Sequence, residues 1–186
     1  MLALLLMALL ASPSSETAAA RMQQKMDQIV ANSSKPVSKR GRAVTFTEDE
    51  INSYFVLRMA ERIPKGVSNI RVDIHSDKST GRATVDFDEY KAAAKRPMNP
   101  VLELFVHGRR NVTAVGTVES LGDGQARYHL ESVSLDDFTV RGALLEFLIR
   151  WFVVPRYPRA AMDQPFALPA NIQRIEIREG KILVHP

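Results

Sequence analysis

Residues 142–155, GALLEFLIRWFVVP, place ten apolar residues among the twelve that lie between Gly142 and Pro155. As a helix, at about 1.5 Å per residue, those twelve would be about 18 Å long. That is well short of the roughly 30 Å hydrocarbon core of a bilayer. The apolar arc is wider than half the helix circumference, more than a surface helix ordinarily carries. Such a helix needs partners on several sides, and a sheet curling round it supplies them. Burial of Leu144, Leu145, Phe147, Leu148, Trp151 and Phe152, at roughly 1.5–3 kcal/mol each, would contribute on the order of 10 kcal/mol before entropy is counted.

The chain on either side is rich in hairpin patterns. Ile70, Val72 and Ile74 alternate with Arg71, Asp73 and His75, and beyond a turn Ala83, Val85 and Phe87 alternate with Thr84, Asp86 and Asp88. A second hairpin turns at Gly122-Asp123-Gly124, with Val112, Ala114, Gly116 and Val118 on the same face as Ala126, Tyr128 and Leu130. The alternation slips near Val133 and Leu135, which predicts a bulge. Phe138 and Val140 continue as strand, and Arg174-IEIR with Lys181-ILVH forms a third hairpin. Period-two alternation between turn residues marks half-buried antiparallel strands. The predicted class is therefore α+β: a curved antiparallel sheet of hairpins wrapped on one or two apolar or amphipathic helices.

Ahead of the hairpins, Val44 and Phe46 read as a brief strand, and Thr47 with Glu50 forms a capping box that opens a helix. Ile51, Phe55, Met59 and Ile63 share one stripe of that helix, and Pro64 and Gly66 end it. Pro100 suits the first turn of a short helix over Met98–Val106.

The amino terminus reads differently. Leu2 to Ala11 is unbroken apolar sequence, the length of a secretory leader's hydrophobic region, and Ala18, Ala19 and Ala20 suit a signal peptidase. The expected organisation is a signal peptide over 1–20, or an uncleaved anchor; then an amphipathic helix and basic linker over 21–42; then one α+β domain over 43–186. No lysine or arginine precedes the apolar run.

The chain has 186 residues, 45% hydrophobic and 25% charged, with a net charge of +4. It has no cysteine, so disulfides, thiol catalysis and cysteine-bound zinc are excluded. The four histidines fall on separate elements without metal-ligand spacing, and no phosphate-binding glycine loop or GxSxG nucleophile elbow occurs. Asp86 and Asp88, on one strand face, are a small carboxylate pair that a solvated surface explains. Most aromatic residues fall on inward positions or in the apolar helix, and only Tyr157 lies between basic residues, which argues against nucleic acid. Lys35, Lys39, Arg40 and Arg42, with Arg156 and Arg159, form a basic patch suited to an anionic membrane surface.

Two stretches carry a resemblance. VTFTEDEINSYF, residues 44–55, is similar to the opening of small exported relatives of the tubular lipid-binding (TULIP-like) superfamily. PFALPANIQRIEIREGKILV, residues 165–184, resembles their closing hairpin. The resemblance covers Ala43 to His185 and implies a strongly curved sheet around a helix, with a groove for acyl chains and no catalytic residue. The expected function is that of an exported, periplasmic or secreted, non-enzymatic protein that binds a lipid or amphiphile without a cofactor or metal. Its expected groove residues are Phe55, Met59, Leu144, Phe147, Leu148, Trp151 and Phe152. The alternative is an envelope scaffold with a full core and a protein partner.

Overall fold

The computed structural model describes residues 14–36, 39–76, 78–94, 107–150 and 163–186. Trp151, Phe152, Arg156, Arg159 and the helix expected over Met98–Val106 lie outside the described residues. The fold is α+β and antiparallel. Helix α1 (Glu16–Asn32) is followed by β1 (Val44–Thr47), α2 (Glu48–Arg58), β2 (Val67–Ile74), β3 (Ser79–Asp86) and α3 (Phe87–Ala94). Then come β4 (Arg109–Gly122), β5 (Gln125–Leu135), β6 (Phe138–Arg141), α4 (Gly142–Leu148), β7 (Pro165–Ala167), β8 (Arg174–Arg178) and β9 (Lys181–His185).

The strands form two sheets. An open six-stranded sheet runs β2-β3-β4-β5-β6, with β7 added to β5, and a three-stranded sheet runs β1-β9-β8. Residues 44–47 and 181–184, far apart in the chain, meet in the smaller sheet, where Val44 pairs with Val184 and Phe46 with Ile182. The Glu48 amide also donates to the Gly180 carbonyl at 2.8 Å.

The core lies between α1, α2 and the small sheet. Ile29, Phe46, Ile51, Ile74, Ile172 and Val184 are buried together, with Met22, Met26, Phe55 and Ile182 packed on them. The wrapped helices are therefore α1 and α2, not the apolar helix at 142–148. The sequence placed the sheet's partner in that later helix because of its composition, but composition does not say which edge of a sheet a helix reaches. Here α4 follows the terminal strand β6 and packs on β6 and β5.

Several local features follow the sequence closely. Thr47 Oγ1 accepts the Glu50 amide while Glu50 Oε2 accepts the Thr47 amide, so the capping box is complete. The register of β4 against β5 shifts between Val115 and Gly116, opposite Glu131, which is the expected slip of alternation. Phe87 departs from expectation. It opens α3 rather than continuing β3, because Asp86 Oδ1 accepts the amides of Asp88 and Glu89 and turns the chain. Asp86 and Asp88 thus do not share a strand face.

The boundary expected after Ala20 falls inside α1. Ser15 caps that helix, accepting the Ala18 amide at 3.3 Å, and Ala18 and Ala19 are 0% exposed. The basic linker is also more ordered than its composition suggests. Arg40 donates from Nε to the Lys35 carbonyl at 2.7 Å and from Nη1 to the Asn171 carbonyl at 2.8 Å, pinning the linker to the turn before β8.

Candidate functional site

The two faces of the large sheet differ in chemistry. Antiparallel partners share a face, so the register gives the rows directly. Ala83, Val112, Leu135 and Phe138 stand side by side across β3 to β6. The next row on that face is Val72, Gly81, Ala114, Val133 and Val140. The opposite face carries Arg71, Arg82, Thr113, Ser134 and Thr139 in one row and Asp73, Thr80, Val115, Ser132 and Arg141 in the next. Arg71 and Arg82 both pair with Asp73 there. One face is oily and the other is charged and hydroxylic.

Among the described residues, the core cluster reaches the oily face only at Val72 and Ile74, at its β2 end. Farther along, Ala83, Val112, Ala114, Val133 and Leu135 are only half buried. Near β6 the apolar side chains come into the open: Phe138 is 59% exposed, Leu144 52% and Phe147 51%. Leu145, by contrast, is buried, as is Val140 of β6. Leu144 and Phe147 are three residues apart on α4 and Leu148 is half buried beside them, so they share one side of the helix. Arg141 and Arg150 are exposed at its two ends.

The middle of the oily face is shaped by a glycine. A Cβ at Gly116 would lie 2.5 Å from the Tyr128 hydroxyl and 2.5 Å from the His129 carbonyl oxygen. The ring of Tyr128 therefore occupies the space above β4 that a side chain would take. Burial pushes the Tyr128 hydroxyl above its ordinary pKa, with a further push from the Glu131 carboxylate.

The residues expected to line one groove are not brought together. Phe55 packs against the α1–α2 core. Met59 stands half buried at the end of α2. Leu144, Phe147 and Leu148 are on α4, which follows the strand at the other edge of the open sheet. In the basic set, Lys35, Lys39 and Arg42 are exposed, whereas Arg40 is engaged by the carbonyls of Lys35 and Asn171. Among the described residues, no group of three or more histidine, aspartate or glutamate side chains could hold a metal ion. None of the described helices is long and apolar enough to cross a membrane.

Sequence reasoning missed two polar anchors. Glu50, read as a helix cap, is 2% exposed and accepts Lys25 Nζ at 2.7 and 2.6 Å and Arg21 Nε at 3.3 Å. Burial pushes its carboxyl up, but Lys25, the Thr47 amide and Arg21 together outweigh this and hold it below the usual carboxylate range. Asn52 donates to the Val72 carbonyl at 2.8 Å and accepts the Val72 amide at 2.7 Å, so it occupies the free edge of β2 as a strand residue would. Neither signal is visible without knowing which segments meet. No protein-family model, no curated protein and no solved structure matches this chain.

Proposed function

We propose that the protein binds a lipid or another amphiphile on the oily face of its large sheet, at the end formed by β6 and α4, in an exported, membrane-facing setting. The observation that carries this reading is one row of that face, in which Ala83, Val112 and Leu135 are half buried and Phe138, at the far edge, is 59% exposed. Apolar side chains left in water are unfavourable by about 25 cal/mol per Å². A run of them on one face marks a binding surface more often than chance. The exposed Arg141 and Arg150 at the ends of α4 suit anionic head groups beside the acyl chains. The similarity of residues 44–55 and 165–184 to the tubular lipid-binding relatives supports the same ligand class. The reading assigns no catalysis and no cofactor.

The test is native mass spectrometry with lipid extraction on detergent-free protein, alongside the variant Phe138→Ser with Phe147→Ser. Stoichiometric lipid on the parent chain and none on the variant is the expected result. A parent chain that carries no lipid and takes up no added phospholipid would overturn the reading and favour the scaffold alternative.

A further inference from the structure

The outer face of the small sheet has the opposite chemistry to the oily one. Val44, Phe46, Ile175, Ile177, Ile182 and Val184 belong to the core. Alternation therefore turns Arg174, Glu176 and Arg178 of β8 outward, together with Lys181, Leu183 and His185 of β9. The register sets Arg174 opposite His185 and Arg178 opposite Lys181. Arg174, Arg178 and Lys181 are exposed. Glu176 is the one carboxylate that these three strands turn outward, and Arg178 at 2.8 Å and His185 at 3.6 Å already hold it. Arg174 meets the His185 ring at 3.3 Å, and among the described residues neither it nor Lys181 forms an ion pair.

The fold carries the basic linker to the Arg174 end of this face. Asn171 holds it there. Its side chain donates to the Ser33 carbonyl at 3.0 Å, and its own carbonyl accepts Arg40 Nη1 at 2.8 Å and Gln173 Nε2 at 2.9 Å. Gln173 adjoins Arg174, and Arg42 lies two residues before Val44, the strand partner of Val184. Lys39 and Arg42 are exposed, and no aspartate or glutamate occurs from Gln28 to Thr47. Cations far apart in the sequence thus share one surface. At about 3.3 Å per residue, Arg174 and Arg178 stand about 13 Å apart. That is close to the Debye length of about 8–10 Å at ordinary salt, so their potentials overlap.

We propose that the outer face of the small sheet docks the protein on an anionic phospholipid surface, with Arg174, Arg178, Lys181, Lys39 and Arg42 against the head groups. Charge complementarity selects this partner. The face turns no phenylalanine, tyrosine or tryptophan outward, so it offers nothing on which a nucleic-acid base stacks and no aromatic anchor of the kind that dominates protein interfaces. Head groups need neither, because each cation near an anionic surface adds its own attraction. Arg40 is a positioning residue, bonded to the carbonyls of Lys35 and Asn171. The docking face is separate from the β6–α4 end and does not depend on lipid uptake there.

The test is cosedimentation of the purified chain with phosphatidylcholine vesicles, with and without phosphatidylglycerol. Binding should require phosphatidylglycerol and should fall at least about tenfold between about 0.05 and 0.5 M salt. Arg174→Glu with Lys181→Glu should weaken it at least about tenfold while melting at the parent temperature. If that pair melts lower, Lys39→Glu with Arg42→Glu is read in its place. Arg62→Glu with Lys65→Glu, exposed beyond the far end of α2, changes the net charge equally and should bind as the parent does. Phe138→Ser with Phe147→Ser should also still dock, which separates this face from the lipid site. Equal weakening by the Arg62/Lys65 pair would overturn the proposal by showing that net charge alone is felt. Parent binding that ignores phosphatidylglycerol would also overturn it, as would tighter binding to a single-stranded DNA than to the vesicles at the same salt.

Discussion

At β2 the large sheet ends against α2, where Asn52 bonds both backbone groups of Val72 and Glu48 Oε2 accepts the Ile74 amide at 2.9 Å. At β6 it ends in four residues, with Phe138 open to water and a seven-residue helix behind it. The first end is finished in both senses: Ile74 is covered, and the outward backbone groups of Val72 and Ile74 are taken. The second leaves apolar surface uncovered beside arginines. The same sheet face thus serves as core at one end and, at Phe138, as exposed surface at the other. On the proposed reading, stability and ligand contact are separated across its strands.

That contrast can be broken experimentally, and the largest effect belongs to the covered end. Ile74→Ala should cost about 4 kcal/mol in urea unfolding, because a fully enclosed side chain leaves a cavity. A loss below about 1 kcal/mol would mean that the β2 end is not the core. Glu50→Ala comes next, at about 3 kcal/mol. It removes a buried carboxylate from Lys25, Arg21 and the Thr47 amide, although partial exposure of Lys25 limits the loss. Midway along the face, Gly116→Ala should cost about 2 kcal/mol by driving Tyr128 off β4. Loss of Tyr128 near-ultraviolet dichroism should accompany it. At the open end, Leu144→Ser and Phe138→Ser should each shift stability by less than about 0.5 kcal/mol while lipid retention falls. A large stability loss there would show that this end is core after all.

The pH dependence sharpens the same contrast. Glu50 titrates below its ordinary value of 4.5 in the folded protein. Its stabilising contribution is therefore complete above about pH 4.5 and is lost as pH falls through the lower folded value. Urea midpoints measured from pH 7 down to pH 3 should decline in that window for the parent chain. They should decline less for Glu50→Gln, whose amide cannot be protonated there.

Much of this was legible from residue order. Alternation marked the β2–β3, β4–β5 and β8–β9 hairpins but not the turn between β5 and β6, where Phe138 pairs back onto Leu135, and the slip near Val133 located the bulge because a period of two tolerates no silent insertion. Thr47 and Glu50 announced a helix start. Long-range pairing was not legible. Nothing in residues 44–47 names residues 181–184 as their strand partner, and nothing in Asn52 names Val72. Glu50 looked like a surface cap because its partners Arg21 and Lys25 lie in a helix whose beginning had been assigned to a leader. The apolar composition of 142–154 suggested a central helix, yet for its described part, Gly142–Leu148, composition records how greasy the segment is and not where the chain carries it. The candidate site was legible only in part. Leu144, Phe147 and Leu148 were named, whereas Phe138 was read simply as strand, since its exposure depends on β6 being the last strand.

The side-chain bridge from Asn52 to Val72 also limits self-association. Strand-to-strand stacking between copies requires an unoccupied rim on each, and here the rim of the large sheet is already bonded at Val72 and Ile74 from within the same molecule. A strand from a second copy therefore finds no free backbone pair at Val72 of that rim.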